Sequence, residues 1–504
     1  MSHVAFHIGA RALKTGNARP QQKIRRKQAV RRSQVTALII ASALFMENID
    51  STVIATALPT IAADIGSDPI KLKLALTAYL LSLATFIPIS GWMADRFGAR
   101  LVFRIAIGVF MVGSVLCSLA GSLPEFVLAR IVQGAGAAMM SPVGRLVLLR
   151  TTPKAQLLSA MAWFTVPALM GPLVGPPLGG FIATYFHWTW IFWINIPVGA
   201  IGIVLVTLYI DDVKADGTRP MDFRGFILSG IALSGLVFGF SVIGQNMLPL
   251  PISLAMVGTG MIAAAGYIVH ARRHPTPILD LTLLKQPAFF TAAVGGFFFR
   301  IGVGAIPFLL PLALQLGLGM NPFEAGSMVF FAAVGALAMK FSARPIVQRF
   351  GFRTVLICNG ILSSCALGAM AMIAYNPPAI LLVSVLLVGG FFRSLQFTAL
   401  NTVVYAEVEE RRMSLATSFY AVCQQVSLAA GVAVAAAVVE FQRAMRPGEE
   451  IYVTDFVPAF LTVAVISLSA VAFYARMPAD VGEEIANRKP APKTPPAPVV
   501  PRSA

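Results

Sequence analysis

From residue 35 to residue 475 the chain alternates between long apolar runs and short polar segments. A helix that crosses the hydrocarbon of a bilayer needs about 20 mostly apolar residues. On that measure the sequence predicts fourteen spans, at 35–57, 72–92, 104–121, 124–148, 155–183, 189–210, 224–244, 251–270, 288–314, 324–342, 354–374, 379–405, 413–439 and 455–475. The fifth is rich in Gly and Pro, and the ninth carries Arg300. The first run is too long for a cleaved signal peptide and leads into further helices, so it reads as an uncleaved first span.

Composition agrees with this pattern: 57% of the 504 residues are hydrophobic and only 12% are charged, against about 25% charged in soluble domains. A soluble enzyme, a secreted disulfide scaffold and a disordered chain are excluded. The formal charge of +17 would suggest nucleic acid on a soluble protein, but its placement argues otherwise. With the amino terminus inside, thirty of the 39 Lys and Arg fall in cytoplasmic segments. Only Lys71, Lys73, Arg443 and Arg446 fall on the opposite side, while Arg130, Arg145, Arg300, Lys340 and Arg393 lie within spans. This is the positive-inside asymmetry of a correctly phased topology. Nine Lys and Arg and no acids precede Gln34, a composition suited to anionic lipid headgroups. The carboxyl end, from Arg488, is Pro-rich and is expected to be a disordered cytoplasmic tail. The four cysteines sit inside apolar runs without metal-ligand spacing.

The chain repeats itself. Asp95-Arg-Phe-Gly-Ala-Arg100 follows the second span and Gln348-Arg-Phe-Gly-Phe-Arg353 follows the tenth. Such a duplication predicts two six-helix halves with two extra helices between them, an organisation typical of transporters. No GxxxxGK[ST] phosphate loop occurs, so energy must come from a gradient or from the solute itself.

Of the 22 acidic residues, only Glu47 and Asp50 lie in the middle of a span. A carboxylate at the bilayer centre costs roughly 2.5–3.5 kcal/mol on insertion scales, and residues three apart share a helix face. Desolvation and repulsion disfavour the charged form of a carboxyl, and a nearby cation favours it. Such a pair is suited to exchanging protons. Arg130 is the natural partner, about 9 Å into the fourth span at 1.5 Å per residue. The alternative is a permanent ion pair that merely fixes helices one and four. In the second half, Arg300 and Arg393 have no mid-membrane acid beside them in sequence. They line a watery cavity, meet Glu47 and Asp50 across the halves, or attract an anionic substrate. Lys340 is expected to snorkel towards the cytoplasm. Gln133 and Phe298 join the two arginines as candidate cavity residues, and the Phe pairs at 297–299, 330–331 and 391–392 are split between cavity, core and lipid.

Several segments resemble the major facilitator superfamily. Gly91-Trp-Met-Ala-Asp-Arg-Phe-Gly-Ala-Arg100 is similar to its motif A, Leu128-Ala-Arg-Ile-Val-Gln-Gly-Ala-Gly136 to motif B, and Gly171-Pro-Leu-Val-Gly-Pro-Pro-Leu-Gly-Gly180 to motif C. Asp50-Ser-Thr-Val-Ile-Ala-Thr-Ala-Leu-Pro59 and Trp190-Ile-Phe-Trp-Ile-Asn-Ile-Pro-Val-Gly199 resemble the fourteen-helix drug:proton antiporter branch, and Arg300 to Gly326 resembles MdtD-type multidrug transporters. Ala55 stands where the branch usually carries Asn, and the second motif A has Gln348 for Asp and Arg344 for its leading Gly. The resemblance implies a cytoplasmic latch at Gly91, Asp95, Arg96, Gly98 and Arg100. It also implies an antiporter seal at Gly171, Pro172, Gly175, Pro176, Gly179 and Gly180, where Gly permits close helix contact and Pro bends the span.

The expectation is therefore an all-α polytopic membrane protein of the major facilitator fold. Its parts are a basic tail (1–34), a first half (35–210), two linker helices with their loops (211–287), a second half (288–476) and a Pro-rich tail (477–504). The expected function is proton-coupled export of small hydrophobic or cationic compounds by alternating access, as in multidrug efflux. The alternatives are a narrower exporter of an organic anion or metal-chelate, and a non-transporting scaffold or sensor. No enzyme activity, cofactor, resident metal or nucleic acid is expected. The expected partners are a small-molecule substrate, protons and the lipid bilayer. The chain is expected to act as a monomer in a bacterial-type inner membrane, with both termini cytoplasmic.

Overall fold

The computed structural model describes residues 18–67, 69–165, 170–171, 174–175, 178–179, 181–182, 185–210, 220–243, 248–320, 322–445 and 452–486. The fold is all-helical. In the first half, α1 is Ala18–Asp64, α2 Pro69–Phe86, α3 Ala99–Leu119, α4 Leu123–Thr151, α5 Lys154–Phe164 and α6 Asn195–Tyr209. The linker helices are α7 (Phe223–Leu233) and α8 (Leu250–Arg273). In the second half, α9 is Gly296–Leu312, α10 Pro322–Phe350, α11 Phe352–Ala369, α12 Ala379–Val403, α13 Met413–Ala444 and α14 Phe456–Tyr474.

Twelve helices among the described residues are long and apolar enough to cross a membrane. The other two expected spans coincide with α5, whose Gly- and Pro-rich continuation is described only in part, and with the shorter apolar helix Phe223–Phe238. The sequence-derived count of fourteen fits this arrangement. Helix α1 begins well inside the segment read as a basic tail, whereas residues 1–17 and the Pro-rich 487–504 lie outside the described residues.

Large apolar side chains face outward on many helices, among them Leu119, Ile201, Ile262 and Val465. In water such a surface would be an aggregation liability; in hydrocarbon it matches its solvent. Intrahelical hydrogen bonds satisfy the backbone, as the bilayer interior demands.

The internal repeat is structural as well as sequential. Gly98 joins Ser90–Phe97 to α3 at φ +93°, and Gly351 joins α10 to α11 at φ +79°, a region that L side chains avoid. Each glycine is followed two residues later by an arginine that caps a distant helix end. Arg100 donates to the carbonyl of Thr207 near the end of α6, and Arg353 donates to the carbonyl of Ala475 just beyond α14, at 2.8 Å. Cations are favourable at the carboxyl ends of helices, where carbonyls lack partners. In the second half, α9 is flanked by π-helical turns at Thr291–Gly295 and Ala313–Gly317 and contains Pro307 and Pro311. Wide turns of this kind often sit beside functional residues, and Arg300 lies between them.

Candidate functional site

A closed polar cluster occupies the interior of the first half. Asp50 of α1 and Arg130 of α4 form an ion pair at 2.6 Å, with both side chains at most 1% exposed. Gln133, one turn after Arg130, donates from Nε2 to Asp50 Oδ1 at 2.9 Å and to Ser114 Oγ of α3 at 2.8 Å. Its Oε1 accepts from Arg130. Asn195, at the start of α6, donates to Asp50 Oδ1 and to Ser114 Oγ, both at 3.1 Å. The guanidinium also stacks over the Tyr79 ring, 4.2 Å from its centroid. Four helices and Tyr79 of α2 thus converge on one carboxylate. Breaking a buried pair by removing one partner typically costs about 3–5 kcal/mol, so the cluster is either a rigid anchor or a switch that works only when the charge itself is removed.

Glu47 lies one turn before Asp50 and is half-buried, and its Oε2 has no hydrogen-bond partner among the described residues. Sequence reasoning named Glu47, Asp50 and Arg130 as coupling residues and Gln133 as a cavity residue. The structure brings Asp50, Arg130 and Gln133 into one network and leaves Glu47 beside it. Asn195, Ser114 and Tyr79 were missed. An amide inside the apolar run 189–210 was the available signal for Asn195, whereas Ser and Tyr are too common in spans to stand out.

The motif A residues begin on the short helix Ser90–Phe97, which packs against α13. A Cβ on Gly91 would lie 2.6 Å from the Ser414 carbonyl oxygen and 2.6 Å from Ser418 Oγ, so only glycine lets the two backbones approach this closely. Ser90 and Ser418 share a hydrogen bond of 2.9 Å, and Ser414 donates to Asp95 Oδ2. The other Asp95 oxygen pairs with Arg150 at 2.9 Å. The contact between halves therefore runs through Asp95 and serines of α13. The motif arginines do not carry it as expected: Arg96 is exposed, and Arg100 caps α6 within its own half. Small hydroxyls fit here because Gly91 brings the two backbones too close for longer side chains.

In the antiporter-like segment, Gly171, Gly175 and Gly179 are buried. A Cβ on Gly175 would fall 2.0 Å from Thr52 Oγ1, and one on Gly171 would fall 2.6 Å from Asn48 Cβ. Thr52 Oγ1 donates to the Gly171 carbonyl at 3.2 Å. This segment is pressed against the face of α1 adjacent to Asp50. Pro172, Pro176 and Gly180 lie outside the described residues.

In the second half, Arg300 is fully buried and donates to the Tyr420 hydroxyl, with its guanidinium 4.7 Å from that ring's centroid. Its hydrogen bond and ring contacts are to Tyr420 and Phe397 rather than to Asp50 or Glu47, and its Nε and Nη1 have no partner among the described residues. Arg145, from α4, approaches the opposite side of the cluster: it donates to Gln424 at 3.0 Å and Tyr405 at 3.3 Å, and lies 5.6 Å from the same Tyr420 ring. Arg393 is half-buried on α12. Phe298 stacks on Phe473 at 5.3 Å. Lys340 does not snorkel. Its ammonium is buried and donates to Thr165 at 2.5 Å and Thr398 at 3.1 Å, because α5 and α12 close over it before it can reach the surface.

Two pseudo-repeated six-helix halves that meet around buried charges define a secondary transporter of small molecules. Comparison with known proteins agrees. The chain belongs to the Major Facilitator Superfamily, whose family model matches residues 40–284 and 292–503. It is 36% identical over 449 residues to the Yersinia enterocolitica protein named "Putative multidrug resistance protein MdtD", which covers 88% of this chain and 95% of that one. It is 35% identical over 447 residues to the Yersinia pestis protein of the same name, covering 88% and 96%. Among solved structures, the human organic anion transporter MFSD10 superposes with a TM-score of 0.63 at 14% identity, covering 88% of this chain and 99% of that one. The proton:xylose symporter XylE superposes with a TM-score of 0.61 at 15% identity, covering 92% and 99%. At these identities the structures speak to fold alone. The chain is a multi-pass membrane transporter and not an enzyme.

Proposed function

We propose that this transporter exports small hydrophobic or cationic compounds in exchange for protons, by alternating access between its halves. The observation that carries the reading is the ion pair of Asp50 and Arg130, sealed from solvent, bridged by Gln133 and with Asn195 donating to the carboxylate. A proton on Asp50 removes the charge that holds Arg130 and loosens α1 from α4, α3 and α6. Glu47, one turn away with a free oxygen, hands protons to or from Asp50. The seal of Gly171 and Gly175 on α1 transmits the change along that helix and limits leak, and the Asp95–Ser414 contact closes the cytoplasmic side. The relatives named for multidrug resistance support the substrate class. The basic segments support a topology with both termini in the cytoplasm; residence in an inner membrane and action as a monomer are part of the same reading.

The test is proton flux in inside-out vesicles with an acid interior, challenged with cationic, neutral and anionic compounds. Compound-evoked proton efflux that disappears in Asp50→Asn and weakens in Glu47→Gln is expected. Unchanged efflux in both variants would refute the assignment.

A second reading, export of an organic anion or metal-chelate, is favoured by Arg300, a fully buried cation with two unpartnered nitrogens. Such a charge is costly unless something anionic meets it. Counterflow of anionic compounds that Arg300→Gln abolishes would select this reading. The scaffold reading requires activity to follow the basic tail, so transport that survives deletion of residues 1–30 eliminates it.

A further inference from the structure

A histidine pair lies outside everything the transport reading uses. His270 occupies the last turn of α8, and His274 caps that helix four residues later. Their rings are 5.0 Å apart, inclined at 31°. Facing them is Asp222, 4% exposed, which precedes α7. One ligand atom from each of the three side chains lies within 4.8 Å of the others. In a chain with five histidines and 22 acids, this is the grouping among the described residues that meets that criterion.

We propose that Asp222, His270 and His274 form a binding site for a borderline-soft divalent cation, with zinc as the type case, that clamps the two linker helices together. Two imidazoles and a carboxylate are a common donor set for zinc, with bonds of about 2.0–2.2 Å. Tetrahedral geometry at that length places ligand atoms about 3.3 Å apart. The Asp222 Oδ1–His270 Nε2 contact, 2.8 Å, is already shorter than this, so the remaining movement is a swing of His274 inward. His274 caps a helix end, and among the described residues its side chain is held by the His270 ring and by one hydrogen bond, Nδ1 accepting from the Thr276 N–H at 3.2 Å, so the swing breaks at most one hydrogen bond.

The carboxylate is pre-oriented as metal ligands usually are. Oδ1 accepts from the Gly225 N–H at 2.8 Å and Oδ2 from the Ile278 N–H at 3.3 Å. Three protein ligands leave a fourth position for water. The basic neighbours Arg224, Arg272 and Arg273 are exposed, so solvent screens their repulsion of a cation.

The position gives the clamp a consequence. Asp222, Thr276 and Ile278 line one crevice with Trp92, Asp95 and Leu415. The bound cation fixes the wall of linker beside the contact through which the halves close. The site needs no transport substrate, so its test is independent of the antiport reading.

The experiment uses the full-length transporter in detergent, stripped with chelator, with His3 and His7 replaced by alanine. Cobalt is titrated by its ligand-field absorbance and zinc by competition against it. One cobalt per chain with the spectrum of a four-coordinate nitrogen and oxygen site is expected. His274→Ala, which keeps the Asp222–His270 bond, should weaken binding at least about tenfold, the lower end of the range seen when mere outer-shell partners of metal ligands are lost. His270→Ala should do the same, and His187→Ala should change nothing. Absence of binding to the folded chain, or binding indifferent to His274→Ala, would overturn the proposal.

Discussion

Replacing Asp50 by asparagine isolates the charge at the centre of the first half. Asparagine keeps nearly the same volume and an acceptor oxygen for Gln133 and Asn195. Among the described residues it removes the only carboxylate bonded to Arg130, whose side chain is 1% exposed. The guanidinium is then a buried cation with Gln133 Oε1 and the Tyr79 face as its remaining partners. A lost partner in a buried pair costs about 3–5 kcal/mol. The Tyr79 contact is present before and after the substitution and offsets none of this, so a loss of about 3–5 kcal/mol is expected. Arg130→Gln should cost about as much by stranding Asp50. The double variant should recover at least about 2 kcal/mol relative to the sum, because no uncompensated charge remains. The assay is reversible unfolding of the four proteins in mixed detergent, with the coupling taken from the cycle. Singles that cost less than about 1 kcal/mol, or additivity across the cycle, would show that the pair is solvated and would remove the basis for treating it as a switch.

Other outcomes follow from the same structure. Gly175→Ala places a methyl 2.0 Å from Thr52 Oγ1 and 2.7 Å from Thr52 Cβ and should destabilise by about 1–3 kcal/mol, the usual cost of overpacking; Thr52→Ala, which removes the hydroxyl and keeps Cβ, should restore only part of it, and Thr52→Gly more, as read by thermal unfolding in detergent. Gly91→Val, which must displace the Ser414 backbone, should hold the halves apart at that end and raise the modification rate of a cysteine introduced at Ser418. Lys340→Met should leave stability unchanged or raised, since burying an ammonium on two hydroxyls costs about as much as those bonds return; strong destabilisation would contradict this. Outside the membrane, burial opposes ionisation of Asp280, but hydrogen bonds from Thr282 and the charge of Arg412, 2.6 Å away, outweigh it and hold the carboxyl below its ordinary value. A depressed carboxyl stabilises above its unfolded pKa and loses that contribution as pH falls through the folded value. Hydrogen-exchange protection factors in 280–285, corrected for the intrinsic pH dependence of exchange, should therefore fall on acidification below about pH 4, and Asp280→Asn should remove that dependence.

The seal and the latch explain why small residues recur at these contacts. Where Gly91 meets α13 and Gly175 meets Thr52, backbone proximity replaces long side chains, and hydroxyls supply the hydrogen bonds. Contacts of this kind lose little side-chain entropy when made and little solvation when broken, which suits the Gly91–α13 surface to parting in the proposed cycle.

Hydropathy alone determined the spans, because a bilayer forces every crossing segment into a self-satisfied helix about 20 residues long. The repeat around Gly98 and Gly351 was legible because a positive φ can be met cheaply only by glycine. Asp50 and Arg130 were legible for a related reason: charge in hydrocarbon is too costly to be incidental. The partners were not. Nothing local in sequence tells Arg300 that Tyr420, 120 residues later, will receive it, or tells Asp95 that a serine of α13 will cross the interface in place of the neighbouring arginines. Lys340 shows the limit most plainly. Its position near a helix end predicted an escape to water, and only the packing of α5 and α12 decided that it stays inside. Solvent preference is a property of each residue and is written in the chain; who meets whom depends on helix rotation and tilt, which are set by packing over the whole bundle at once.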